Sequence, residues 1–280
     1  MTTFGQRLWA ALDAHGPLCV GIDPHAALLT AWELDATAEG ARTFGLRVVE
    51  AAAGRVGVVK PQVAFFERYG SAGFAALEDV VRAAREAGLL VIADAKRGDI
   101  GTTMAGYTAA WLEPGSPLES DAVTLSPYLG PDALREALGD AIRLGKGAFV
   151  LAATSNPEAR PVQSALVDDE EGERVAARVA RDVAWHNMGS PGALGPIGVV
   201  VGATVDRRAF GLTDVVLAGT PILAPGFGAQ GAQPADLSRR FGYVAAQVLA
   251  SESRSILSAG PAGIAARIAE RAALYREDPR

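Results

Sequence analysis

Short apolar runs recur along the chain, each followed by a stretch with helical spacing. They are LCVGID (18–23), VGVVKP (56–61), LLVIADAK (89–96), AVTLSP (122–127), GAFVLAAT (147–154), IGVVVGA (197–203), PILAPGF (221–227) and SRSILSAG (253–260). They are apolar along their length rather than alternating, as expected of strands covered on both faces by other layers. Between them, GFAALEDVVRAAREAG (73–88) places Leu77, Val80, Val81 and Ala84 on one helical face. GPDALREALGDAIRLG (130–145) and QPADLSRRFGYVAAQVLA (233–250) read as helices in the same way. Eight strand signals with helices between them predict an α/β fold, a (β/α)8 TIM barrel. An open doubly wound sheet is the competing arrangement. No linker or repeat divides the chain, so residues 1–280 are expected to form one domain. A helix precedes strand one, and a loop insertion lies near 156–170. The acidic run DDEEGER (168–174) is expected to begin the helix that continues through RVAARVARDVAWHNM, its carboxylates near the positive end of the helix dipole.

Composition narrows the function classes. Of 280 residues 49% are apolar and 21% charged, enough for a real core, and the net charge of −6 argues against a nucleic-acid partner. The single cysteine, Cys19, has no partner for an internal disulfide and reads as a small buried hydrophobe. No segment approaches 18 uninterrupted apolar residues, and MTTFGQRLW lacks the basic-then-apolar pattern of a signal peptide. A cytoplasmic protein without membrane contact is expected.

In a barrel, chemistry gathers where strands end and βα loops begin. Those ends carry Asp23, Lys60, Asp94, Lys96, Ser126 and Ser155, then the loop GFGAQG (226–231), with Arg254 at the eighth signal. In VIADAKRGDIGTT (91–103), Asp94 and Lys96 are two residues apart on a strand and leave the same face. Asp99 follows Gly98, whose turn either returns a second carboxylate to the site or sends it toward a neighbouring subunit. With Lys60 on the adjacent strand, ammonium and carboxylate groups alternate, each favouring its neighbour's charged form. A structural ion-pair network at the rim is the bland alternative; against it, partly buried ion pairs seldom stabilise better than apolar packing.

GFGAQG matches the dinucleotide fingerprint, yet it falls at the seventh strand signal, and Pro234 separates it from the next helix. A loop that closes on an anion through its backbone N–H groups and Gln230, with Arg254 as a bidentate partner, fits a phosphate better. His15, His25 and His186 are scattered without metal-ligand spacing, and no metal site is expected.

DAKRGDIGTT closely resembles the D-x-K-x-x-D-I-x-x-T signature of the orotidine 5′-phosphate decarboxylase family, in its longer bacterial branch. GIDP at strand one, VVKPQVAFFE at strand two, TSNPEA after strand five, LAPGFGAQG at strand seven and SRSI at strand eight agree in order, from about residue 18 to 260. The resemblance implies conversion of orotidine 5′-monophosphate to uridine 5′-monophosphate and CO2, in pyrimidine biosynthesis, without a cofactor. It implies Lys96 as proton donor, flanked by Asp94 and Asp99. Asp99, Ile100 and Thr103 would reach into the partner's site of a homodimer. Lys60 and Asp23 would contact the ribose, Ser155 the pyrimidine ring, Pro225 would lie beside the base, and Gln230 and Arg254 would hold the 5′-phosphate. Ser253 stands where many relatives have glycine, and its N–H remains available.

Three other readings stay open: a sister barrel acting on a sugar phosphate with a divalent metal, a Schiff-base aldolase using Lys96, and a non-catalytic nucleotide sensor. The first needs acidic ligands at the ends of strands one and two, and strand two ends in Lys60. The second needs a neutral lysine, which a carboxylate clamp opposes.

Overall fold

Eight strands, β1 (Leu18–Ile22), β2 (Val58–Pro61), β3 (Leu90–Arg97), β4 (Ala122–Leu125), β5 (Gly147–Ala153), β6 (Ile197–Val201), β7 (Ile222–Pro225) and β8 (Val248–Glu252), pair in parallel in chain order. Leu18 pairs with Ala250, so β8 returns to β1 and the barrel closes. The structure is a computed structural model describing residues 2–168 and 172–277. The predicted (β/α)8 barrel is what forms, and the open sheet is excluded by that closure.

Two apolar layers hold it. Inside, every strand contributes to one cluster, from Cys19 on β1 to Leu249 on β8, and Phe4, Leu8 and Leu12 of the helix Phe4–His15 complete it. The sequence starts that helix at Thr3: the Thr3 hydroxyl accepts from the Gln6 N–H while the Gln6 amide oxygen accepts from the Thr3 N–H. The Phe4 ring meets Phe149 edge-on at 6.1 Å. Burying each of these three side chains contributes roughly 1.5–3 kcal/mol. Burial pushes the Cys19 thiol up to about 12, so it packs as a neutral hydrophobe. Outside, helices cover the strands, and Leu77, Val80, Val81 and Ala84 face inward from the helix Gly70–Glu86 as the spacing predicts. Among the described residues no helix is long and apolar enough to cross a membrane.

Two elements differ from the sequence reading. The eighth strand is VLASE (248–252), taken from the tail of the stretch read as helix, while SRSI opens the short helix Arg254–Leu257. The expected helix stops at Phe241, because Gly242 adopts φ +55°, and the turn Gly242–Gln247 leads into β8. A run as short as VLA fits either periodicity; the vacancy between β7 and β1 decides it. The acidic run also does not begin its helix. That helix is Val175–His186, entered from Arg174, which pairs antiparallel with Leu166. Asp168 and Glu173 therefore precede that helix without belonging to it, and residues 169–171 lie outside the described residues.

Candidate active site

The ends of β2, β3 and β4 converge on one carboxylate. Asp94 accepts from Lys96 Nζ at 2.5 Å and Thr124 Oγ1 at 3.0 Å through Oδ1, and from Lys60 Nζ at 2.8 Å through Oδ2. The Gln62 amide nitrogen completes the set, donating to Asp94 Oδ2 at 3.0 Å and to the Asp94 carbonyl at 2.8 Å. Side-chain exposure rises from 9% at Lys60 and 11% at Asp94 to 46% at Lys96, so Lys96 is the member that faces the cavity. Burial works against the Lys60 ammonium, but the Asp94 and Asp23 carboxylates outweigh it and raise its pKa. Burial likewise opposes the Asp94 charge, and Lys60 and Lys96 overcome it, holding the carboxyl below its ordinary range.

The backbone bends to aim Lys96. The β3–β4 register shifts between Ala93 and Arg97, and within that bulge Lys96 adopts φ +48°. A left-handed conformation is unfavourable for a long side chain and tends to persist where function requires it. Thr124 Oγ1 holds it by accepting the Lys96 N–H at 2.9 Å. The bulge explains how Asp94 and Lys96, both expected on one strand face, come to meet directly.

Across the barrel, β7, β8 and β1 supply the other wall. Pro225 ends β7, and Gly226, Phe227, Ala229 and Gln230 of the glycine-rich loop line the same cavity as Arg254. The loop precedes a 3-10 turn at Pro234–Asp236, and it leaves the seventh strand of a closed barrel, so the dinucleotide resemblance carries no weight. Asp23 Oδ1 and Ser253 Oγ are buried without a hydrogen-bond partner. Buried polar atoms in folded proteins are normally satisfied, and these two front a cavity of about 490 Å³.

Asp23, Lys60, Asp94, Lys96, Ser155, Pro225, Gln230, Ser253 and Arg254 all line that cavity. Asp99, Ile100 and Thr103 do not. Asp99 Oδ1 accepts the Ile100 N–H at 2.8 Å, Ile100 is 62% exposed, and Thr103 lies exposed on the helix Gly101–Leu112. The second carboxylate therefore does not face the cavity of its own chain. Ser126 also lies outside the cavity, its N–H bonded to the Arg97 carbonyl.

Sequence reasoning missed Gln62, Thr124 and Asn156, which line the cavity as well. Gln62 is two residues past Lys60 and so shares its face; Thr124 is the lone polar residue in AVTL. Either signal was available. The beginning of the 156–170 insertion, which the sequence left without a role, supports the site. Gln163 Oε1 accepts the Thr154 N–H at 2.8 Å, steadying the turn that carries Ser155 and Asn156.

The chain is similar to known proteins along nearly its whole length. A family profile described as "Orotidine 5'-phosphate decarboxylase / HUMPS family" matches residues 16–268. An orotidine 5′-phosphate decarboxylase of Streptomyces coelicolor is 51% identical over 270 residues, covering 96% of this chain and 95% of that protein. One from Salinispora arenicola is 50% identical over 269 residues, with 96% and 95% coverage. A Streptomyces avermitilis crystal structure superposes with a TM-score of 0.92 at 48% identity, covering 99% of this chain and 95% of that one. With Asp94 and Lys96 of the motif in direct contact and the match running nearly end to end, the chain belongs to the orotidine 5′-phosphate decarboxylase family.

Proposed function

We propose that this chain converts orotidine 5′-monophosphate to uridine 5′-monophosphate and CO2, with Lys96 as the group that stabilises the developing charge and delivers the proton. The observation that carries the reading is the graded Lys60–Asp94–Lys96 array, whose accessible end faces a cavity bounded on the far side by Gln230 and Arg254. In the reaction the bond from C6 of the pyrimidine to the carboxylate carbon breaks, and its electron pair stays on C6 in an sp2 orbital outside the π system. A fixed ammonium beside C6 lowers the energy of that pair, and the same Nζ then donates a proton to it. CO2 departs and the lysine regains its proton from solvent. Asp94 holds the ammonium in place; its repulsion of the substrate carboxylate is the lesser contribution.

Asp23 and Lys60 meet the ribose hydroxyls, which satisfies the orphaned Asp23 oxygen. Ser155 hydrogen-bonds the pyrimidine ring, Pro225 flanks the base, and Gln230 and Arg254, with the Ser253 N–H, hold the 5′-phosphate. Phosphate contacts far from C6 supply binding energy that is spent on lowering the barrier at C6. A phosphorylated substrate of this charge does not cross membranes, so the proposal carries a cytoplasmic location with it.

The family also includes sugar-phosphate barrels, for which acidic ligands at β1 and β2 are needed. Asp23 satisfies the first, and Lys60 occupies the second. The decisive assay follows the absorbance of orotidine 5′-monophosphate with purified protein, with and without EDTA. Turnover unaffected by chelation is expected. Binding of uridine 5′-monophosphate without turnover would make the chain a sensor, and loss of activity on chelation would make it a metal enzyme.

The working unit is a homodimer. Asp99 and Thr103 leave their own cavity on a loop and helix start where Ile100, with Tyr128 and Leu129 of the neighbouring β4 loop, is exposed at the mouth of the barrel. There they reach the partner's site. Mixing inactive Asp99→Asn and Lys96→Ala proteins is therefore expected to restore activity. Random pairing puts one intact site in half of the dimers, about a quarter of parental turnover. No recovery despite demonstrated subunit exchange would refute a shared site.

A further inference from the structure

One ionised group that the proposed chemistry leaves idle is fully buried beside the phosphate wall. Glu252, the last residue of β8, precedes Ser253 and Arg254, and its side chain has no exposed surface. A carboxylate there is costly unless its oxygens are met, and it would oppose an anion bound nearby. Both conditions are handled by the same partners. Arg271 donates through Nε to Oε1 and Oε2 at 3.1 and 3.0 Å and through Nη2 to Oε1 at 2.6 Å. Tyr275 OH donates to Oε1 at 2.6 Å, and Ser255 Oγ donates to Oε2 at 2.6 Å.

These bonds join three pieces of chain. Arg271 and Tyr275 lie on the C-terminal helix Gly260–Glu277, four residues apart on one face, and Arg267 one turn earlier donates to the Ser255 carbonyl at 3.2 Å. Ser255 belongs to the short helix that begins with Arg254. The glycine-rich loop rests directly on the cluster. A Cβ on Gly228, whose φ is +70°, would lie 2.3 Å from Ser255 Oγ and 2.8 Å from Glu252 Oε2. Phe227 of the same loop stacks edge-on against Tyr275 at 5.7 Å.

We propose that Glu252, with Arg271 and Tyr275, is a positioning device for phosphate recognition: it locks Arg254 and the 226–231 loop to the C-terminal helix in the geometry that grips the 5′-phosphate. The inference rests on the phosphate reading of Arg254 and that loop. Arg271 balances the Glu252 charge, so the phosphate meets a neutral floor and an unopposed Arg254.

The test compares binding of uridine 5′-monophosphate with binding of uridine, and turnover of orotidine 5′-monophosphate with that of orotidine. Glu252→Gln is expected to weaken the monophosphate roughly tenfold and leave the nucleoside unchanged. Tyr275→Phe and Ser255→Ala, which keep the charge pair, are expected to do the same by a smaller factor, and they decide the matter alone if Glu252→Gln does not fold. In an Arg254→Ala background the effects should vanish, because the residues act through one another. Equal loss for nucleotide and nucleoside, no loss, or full additivity with Arg254→Ala would overturn the proposal. If Arg254→Ala itself fails to discriminate nucleotide from nucleoside, the phosphate reading falls first; if it discriminates and the three variants do not, only this inference falls.

Discussion

Lys96→Ala is expected to lower turnover of orotidine 5′-monophosphate roughly ten-thousand-fold or more, while uridine 5′-monophosphate still binds. Proton delivery and electrostatic stabilisation each contribute on the order of a hundredfold to a thousandfold in enzymes where they have been separated, and the proposed mechanism asks one ammonium to supply both. The residues proposed to hold the phosphate and ribose lie on other strands and should survive the change, so the loss should fall on kcat. Folding should be little affected, because Lys96 is the most exposed member of its array, and alanine still allows the Thr124 hydroxyl to accept the residue 96 N–H. Single-turnover measurement at saturating substrate, beside a titration with the product nucleotide, separates the two quantities. A kcat within tenfold of the parent would remove Lys96 from the chemistry.

Asp94→Asn should damage both catalysis and stability. The carboxylate accepts from Lys60, Lys96 and Thr124, and its side chain is only 11% exposed. An asparagine keeps the shape and loses the charge, leaving the buried Lys60 ammonium with Asp23 as its remaining nearby acid. Removing one member of a buried pair typically costs about 3–5 kcal/mol. Turnover should fall at least a hundredfold, because Lys96 is no longer held against one position.

The pH dependence of stability gives an independent check. The Asp94 carboxyl titrates below its ordinary range in the folded chain, so its stabilising effect is present above about pH 4 and is lost as pH falls through the depressed value. Lys60 runs the other way: its raised pKa gives a contribution present below about pH 10 and lost only as pH rises through the raised value. At neutral pH both act. The melting temperature of Asp94→Asn should therefore lie well below the parent's at neutral pH and approach it in acid. A constant offset across the acid range would mean that the Asp94 charge is not what the mutation removed.

Much of the site was legible because chemistry and fold share one rule. A barrel strand buried on both faces admits polar residues only at its end, so Asp23, Lys60, Asp94 and Lys96 stood out against apolar runs. Thr124 did not, because a hydroxyl inside AVTL reads as a neutral member of the run until its partners are known. The eighth strand failed for a related reason. VLASE offers three apolar residues with no alternation and follows a segment with helical spacing, so local pattern favours the wrong element.

By itself the sequence determined the class of fold, the seven strands whose apolar runs are long or sharply ended, and the identity of the groups that carry charge into the mouth of the barrel. These follow from periodicity and burial, which act between near neighbours in the chain. Only the tertiary structure decided which strand fills the gap between β7 and β1. It also decided that a bulge with Lys96 at φ +48° sets the ammonium against Asp94, that Asp99 stays out of its own cavity, and that Glu252 ties the end of β8 and Ser255 to the C-terminal helix. Each depends on contacts between residues distant in sequence, and the free energy of those contacts exists only once the ring has closed.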